Sequence, residues 1–231
     1  ITETAYILKN SYKSFPEGTI HIIGVDSELS DTNKHIALAI DNHYFVCPDN
    51  GLICMITKDI KPTKVVEINI HDRIESSFPV LDVFVQVACF ISRGGNLTVI
   101  GKETSNYKEI TEIQPKISQD QKTISGGVIY IDNYGNIISN INKKLFTDVG
   151  KGRNFKISAA KYTFTKIVKK YNEILGESSS DSLQFDGNKL ALFNSAGYLE
   201  IAIYRSNLKT VGGATTLLGL EYRDTITIEF T

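Results

Sequence analysis

Asp132 and Asn136 lie in the stretch GGVIYIDNYGNIISNI, residues 126–141, where an apolar run breaks at a polar corner and then resumes. A carboxylate and a carboxamide on such a corner have two readings. Either they hold the turn together, or they face a ligand, the carboxylate taking a cation and the carboxamide offering a donor and an acceptor to a planar heterocycle. Asp26 is a second candidate. It follows the apolar run GTIHIIGV, residues 18–25, and ligands in open α/β sheets sit beyond the carboxyl ends of strands. Asp26 either caps the turn there or does chemistry, with Glu28 two residues along. A third candidate is the region Ser76-Ser77-Phe78, which begins a helix whose unpaired N–H groups can polarise water or an anion, although Pro79 removes one donor.

The elements that must position these groups follow from periodicity. Apolar or aromatic residues at 5, 8, 12 and 15 predict a helix over 2–15, capped by Thr2 or Thr4 and stopped by Pro16-Glu17-Gly18. Residues 18–25 read as a buried parallel strand, since the run is nearly all apolar. Residues 35–40 and 43–47 form a hairpin around Asp41-Asn42, Pro48 to Gly51 a turn, and 65–70 a further strand. Apolar positions 80, 83, 84, 87, 88 and 91 predict a helix over 79–93, with Ser76 or Ser77 as cap and Gly94-Gly95 as stop. Residues 102–125 are polar and lack apolar periodicity, and read as a linker. Strand-like runs follow at 126–132, 137–141, 154–158, 163–168, 189–193, 198–204 and 225–230. The expected organisation is therefore an N-terminal α/β domain over 1–104 with a mostly parallel sheet, a linker over 105–124, and a mainly antiparallel, barrel-like β domain over 125–231.

Composition narrows the function. The 231 residues are 42% hydrophobic, enough for a sizeable core, and the net charge of -1 with a pI of about 6.5 gives no field for nucleic acid or an anionic membrane. Cys47, Cys54 and Cys89 match neither a disulfide framework nor a zinc pattern, and His21, His35, His43 and His71 lack ligand spacing, so no metal is expected. The longest apolar run, 80–91, is broken by Asp82 and Gln86, so no membrane span is expected, and a reducing cytoplasm fits. No GxGxxG, Walker A loop, HExxH or GxSxG occurs. The lysines at 143, 144, 166, 169 and 170 read as a solvated face, and Glu177 to Asp181 as an exposed loop.

Six blocks in order, GTIHIIGVD (18–26), YFVCPDNGLI (44–53), SSFPVLDVFVQVA (76–88), IDNYGNIISNI (131–141), FNSAGYLEIA (193–202) and GGATTLLGL (212–220), resemble the S-adenosyl-L-methionine (SAM) hydroxide adenosyltransferases, relatives of the SAM-dependent fluorinase and chlorinase. The resemblance implies a homotrimer with SAM bound between subunits, no separate cofactor, and displacement at the ribose C5′ carbon that releases methionine. By position, Asp132 would hold the methionine ammonium, Ser195 and the Ala196 backbone its carboxylate, and Asn136 with the Ala214 backbone the adenine edge. Tyr171 would stack on adenine, Phe78 would wall the pocket, and Asp26 would orient the attacking water.

The chain also departs from that pattern. Asp26-Ser27-Glu28-Leu29-Ser30 stands where the family reads Asp-Pro-Gly-Val-Gly, Asn33 where it has an Arg, and Phe78-Pro79-Val80-Leu81-Asp82 where it reads Phe-His-Gly-Arg-Asp. Ile1 aligns several dozen residues into the pattern, so the family's first strand and its acidic ribose ligand are expected upstream of this chain. Three readings stay open: hydrolysis with Asp26 as lone orienter of water, binding of SAM or adenosine without turnover, or a different nucleophile. A SAM methyltransferase is disfavoured by the missing glycine-rich loop.

Overall fold

The computed structural model describes residues 1–231 except 59, 71–75, 176–185 and 211. His71 and the loop 177–181 therefore lie outside the described residues. The chain divides into two compact units, Ile1–Glu112 and Ile113–Thr231.

The first unit opens with helix α1 (Thr2–Ser11), extended by a 3-10 turn at Tyr12–Ser14. Its cap differs from expectation: Ile1 occupies the N-cap position and no side chain caps the helix. The sheet has the order β1-β3-β2-β4-β5, from β1 (Ile20–Ile22), β2 (His35–Ile40), β3 (His43–Pro48), β4 (Lys64–Ile68) and β5 (Gly101–Glu103). Asp41 (φ 51°) and Asn42 (φ 60°) are both left-handed, which makes the β2–β3 connection the two-residue turn whose twist suits a hairpin.

The mostly parallel sheet expected from sequence is not found. Only β1 pairs in parallel, with β3, and the other three pairings are antiparallel. The apolar runs arise from burial on two faces instead. Ile36, Leu38, Ile40, Phe45 and Cys47 pack with α1 and with helix α2 (Leu52–Thr57), while Ala37, Val46, Val66 and Ile68 pack with helix α3 (Val85–Ser92). A hairpin sandwiched between helices carries the same unbroken apolar signature as a parallel strand. The strand expected over 18–25 is shorter and less buried: β1 has three residues, lies at the sheet edge, and exposes Ile22. The helix expected over 79–93 begins as a π-helical turn at Val80–Phe84 and continues as α3. It ends at Gly94 (φ 83°), with Gly94 N–H donating to Ile91 O and Gly95 N–H to Phe90 O.

The stretch expected as a linker is shared out between the units. Tyr107 lies against the α1–α2 cluster and Ile110 N–H donates to Cys54 Sγ in the first, whereas β6 (Lys116–Ile117) pairs with β7 (Thr123–Ile131) in the second.

That second unit is a nearly closed, barrel-like antiparallel sheet in the order β10-β9-β13-β7-β8-β12-β11. The remaining strands are β8 (Ile137–Asn142), β9 (Phe155–Ala159), β10 (Tyr162–Phe164), β11 (Lys189–Phe193), β12 (Tyr198–Ile203) and β13 (Thr225–Phe230). β7 turns the corner between its halves, pairing with β13 up to Gly127 and with β8 from Val128. Gly126 permits the bend, since a Cβ there would sit 2.5 Å from Asn140 Oδ1, the same oxygen that accepts the Gly127 N–H. Helices α4 (Lys143–Gly150), capped by Asn142 Oδ1, and α5 (Ala214–Leu218) are additional to the strands read from sequence. The core gathers Ile124, Ile137, Ile141, Ile157, Leu199 and Ile228, all fully buried.

Leu38 sits fully buried in β2, the central strand of the first sheet. Leu38→Ala should cost about 2–5 kcal/mol of stability, read as a lowered urea midpoint with little change in slope.

Candidate functional site

The corner between β7 and β8 is built on one carboxylate. Asp132 Oδ1 accepts the N–H groups of Tyr134 (2.8 Å) and Asn136 (2.9 Å), and Oδ2 accepts Asn136 Nδ2 (2.9 Å). Backbone bonds close the same loop, with Gly135 N–H on Asp132 O and Asp132 N–H on Asn136 O, and Gly135 takes φ 76°. A carboxylate only accepts, so the Asn136 amide must turn its NH2 toward Asp132 and its oxygen away. That oxygen, Asn136 Oδ1, is buried and has no hydrogen-bond partner among the described residues; the residue is 5% exposed. A buried acceptor left unpaired is costly, and a ligand donor is one way to satisfy it.

The turn that leads into α5 packs on this corner. Thr215 N–H donates to Gly135 O, and a Cβ on Gly213 would lie 2.6 Å from Tyr134 O, so Asn136 and the buried Ala214 are neighbours. The chain approaches this closely only because both Gly135 and Gly213 lack side chains.

The corner between β11 and β12 repeats the construction. Asn194 Oδ1 accepts from Ala196 N–H and Tyr198 N–H, both at 3.1 Å, Gly197 takes φ 78°, and its N–H donates to Asn194 O. Ser195 and Ala196 sit at its tip, with the Ala196 N–H already shared with Asn194. The Asn194 amide is thereby left to donate, and it donates to Glu200. Tyr171 OH also donates to Glu200 Oε1, while 41% of the Tyr171 residue surface stays exposed.

Glu200 bonds to the second corner and lies within reach of the charge of the first. It is 4% exposed, in register with Ile138 across the β12–β8 ladder. Burial, the largest influence, pushes its carboxyl above the ordinary glutamate range; the donors Tyr171 and Asn194 pull it back, and the neighbouring Asp132 charge adds to the rise. Sequence reading singles out Asp132, Asn136, Ser195, Ala196, Ala214 and Tyr171 but misses Glu200 and Asn194. The available signal was a lone acid inside the apolar strand run YLEIAI, where an unpaired charge is not tolerated.

In the first unit, Asp26 sits on a loop held by its carbonyls. Asn50 Nδ2 donates to Val25 O (2.9 Å), Asn33 Nδ2 to both Asp26 O and Glu28 O (2.8 Å each), and His35 Nε2 to Ser27 O (2.8 Å). Carbonyls only accept, which fixes His35 as the Nε2–H tautomer and again turns an amide oxygen inward: Asn33 Oδ1 is buried without a partner among the described residues. Asp26 itself is exposed and adopts φ 53°, a left-handed conformation unusual outside glycine. Phe78, 55% exposed, precedes the helix that packs on this loop: a Cβ on Gly24 would lie 2.8 Å from Val80 Cγ2. Ser76 Oγ accepts the Phe78 N–H and donates to Asp82 Oδ2 (2.6 Å), so Ser76 rather than Ser77 orders the entry.

His21 and His43 have packing roles. His21 stacks on Phe45 and lies 3.3 Å, nitrogen to nitrogen, from the buried His43. Among the described residues no group of three or more His, Cys, Asp or Glu side chains could hold a metal ion, and no helix is long and apolar enough to cross a membrane. Burial pushes the Cys47 thiol up, and all three cysteines are free.

Residues 1–101 match the SAM hydroxide adenosyltransferase N-terminal domain, and residues 126–227 match the C-terminal domain of the same family. The chain belongs to the SAM hydroxide adenosyltransferase family. It is 27% identical to a (R)-S-adenosyl-L-methionine hydrolase of Methanocaldococcus jannaschii, over 97% of this chain and 76% of that protein. Its fold is shared with an uncharacterized conserved protein from Thermotoga maritima (TM-score 0.78, 24% identity, 98% of this chain and 83% of the other). A conserved hypothetical protein from Thermus thermophilus has it too (TM-score 0.68, 19% identity, 100% of this chain and 81% of the other).

A carboxyl whose pKa is raised by folding stabilises the folded state below its unfolded pKa, and that contribution is lost as pH rises through the raised value. Wild-type stability should therefore fall, relative to Glu200→Gln, as pH rises from the ordinary glutamate range upward. Urea unfolding at a series of pH values checks this; parallel profiles would contradict it.

Proposed function

We propose that this protein hydrolyses SAM to adenosine and methionine. The observation that carries the reading is the unpaired, buried Asn136 Oδ1. It is an acceptor fixed in orientation by Asp132 beside the Ala214 turn, suited to the exocyclic amine of adenine. Family membership and the hydrolase relative support the same substrate. Around that acceptor, Asp132 Oδ2, which accepts from Asn136, takes the methionine ammonium as well, and Ser195 with the Ala196 backbone takes the carboxylate. The Tyr171 ring offers a π-face to adenine. Phe78 shields the reacting carbon. A homotrimer, with the site completed between subunits, follows from the family resemblance.

The chemistry asks little of the protein. Water oxygen bonds to C5′ as the C5′–S bond breaks, its electron pair going to sulfur, so the sulfonium becomes neutral methionine thioether and the water proton passes through Asp26 to solvent. Positioning and desolvating the nucleophile supply most of the rate. Asp26 is the orienting base, on a loop whose backbone is immobilised by Asn33, His35 and Asn50.

A second reading is a SAM- or adenosine-binding module without turnover. The specific observation in its favour is that Asn33, at the family's Arg position, spends its NH2 on the Asp26 and Glu28 carbonyls, and Pro79 stands where the family has a His.

Incubated with SAM in oxygen-18 water, the protein should yield adenosine labelled at the 5′ hydroxyl, with Asp26→Asn lowering kcat by about 10²–10⁴-fold. Asp132→Ala and Asn136→Ala should raise KM by roughly tenfold or more. Binding by calorimetry with no labelled adenosine would select the module instead.

A further inference from the structure

We infer that Glu200 is a positioning residue that ties the two ends of the ligand site together: it orients the Tyr171 ring through the phenol and the Ser195-Ala196 tip through Asn194. This rests on the reading above, in which Tyr171 stacks on adenine and the tip at 195–196 captures the amino-acid end of SAM.

The geometry supporting it is specific. Tyr171 belongs to a short 3-10 turn (Tyr171–Leu175) with no fully buried residue, and its side chain stays partly exposed. Its phenol, however, donates to a carboxyl at the floor of the sheet. A half-exposed ring pinned at its far end by a buried acceptor keeps its face available while losing its rotational freedom, which is what a stacking platform requires. On its other side the same carboxyl accepts from Asn194, whose oxygen already holds the Ala196 and Tyr198 N–H groups. Glu200 therefore determines how the Asn194 amide is turned, and with it the shape of the tip.

A carboxylate suits this, because it accepts from both neighbours at once. Glutamine has one acceptor oxygen and one NH2: with the oxygen on Asn194 it keeps the phenol only by reversing that bond and donating to the Tyr171 oxygen, and with the oxygen on Tyr171 its NH2 meets the Asn194 NH2. Leucine would fill the space and satisfy neither. The charged group acting on the carboxyl is Asp132, itself an anion, and the Tyr171 phenol is a neutral donor; neither is a cation that would make an ion pair the reason for its presence.

The test is steady-state kinetics with SAM on the full chain carrying Tyr171→Phe, Glu200→Leu, or both. Tyr171→Phe keeps the ring and removes only the tether, and it remains informative should Glu200→Leu fold poorly. Each single variant should raise KM by about five- to tenfold with kcat within about twofold, because ground-state and transition-state binding are lost together. The double variant should be no worse than Glu200→Leu alone, since Glu200→Leu already removes the acceptor of the Tyr171 phenol. A wild-type KM in Tyr171→Phe, or additive losses in the double variant, overturns the positioning role while leaving the hydrolase reading intact. A wild-type protein that neither binds nor cleaves SAM overturns the hydrolase reading and this inference with it.

Discussion

The second unit depends on a single chemical asymmetry: carboxylate and carbonyl oxygens only accept hydrogen bonds, whereas a carboxamide must both donate and accept. Asp132 takes three donors from its own corner, and the third turns the Asn136 amide so that its oxygen points away from Asp132, where it is buried. The free acceptor is thus a consequence of how the turn is built, and an Ala at position 136 would close the same turn without presenting anything. Holding the turn and facing a ligand stand as alternatives in the sequence, and this geometry makes them compatible: the bond that holds the turn also fixes the Asn136 oxygen away from Asp132.

The first unit uses the same asymmetry in reverse. The loop after β1 turns its carbonyls toward the amides of Asn33 and Asn50 and the His35 ring, leaving the Asp26 carboxylate exposed on a backbone that cannot relax. Asn33 is thereby a structural anchor where the family pattern has a cation. The loss of that cation removes one positive charge from the neighbourhood of a positively charged substrate, a change that Coulomb's law does not penalise for binding. Under the proposed hydrolysis Asp26 would orient the water without that cation, which suits a displacement whose leaving group is a neutral thioether.

Much of this was legible in the sequence, for physical reasons. Turn chemistry is local, so the corners at 132–136 and 194–197 and the Asp41-Asn42 turn could be read from Asp, Asn and Gly spacing. The antiparallel strands of the second unit announced themselves by alternation and short connections. Strand direction beyond β1 and the hairpin was not legible, because β4, with Val65 packed on one face and Val66 on the other, carries the same apolar run whichever way its neighbour points. Glu200 was missed because its partners, Tyr171 and Asn194, approach from elements 29 and 6 residues away in sequence, and no local pattern encodes that meeting. Helices α2, α4 and α5 were missed because five to eight residues carry too few turns to show a period.

The central claim, that Asn136 presents a fixed acceptor to an adenine amine, is tested most directly by titrating the protein calorimetrically with adenosine and with inosine. Inosine carries an oxygen in place of the exocyclic amine, so it would set acceptor against acceptor. Inosine should bind the wild-type protein roughly tenfold or more weakly than adenosine. Equal affinities for the two nucleosides would contradict it.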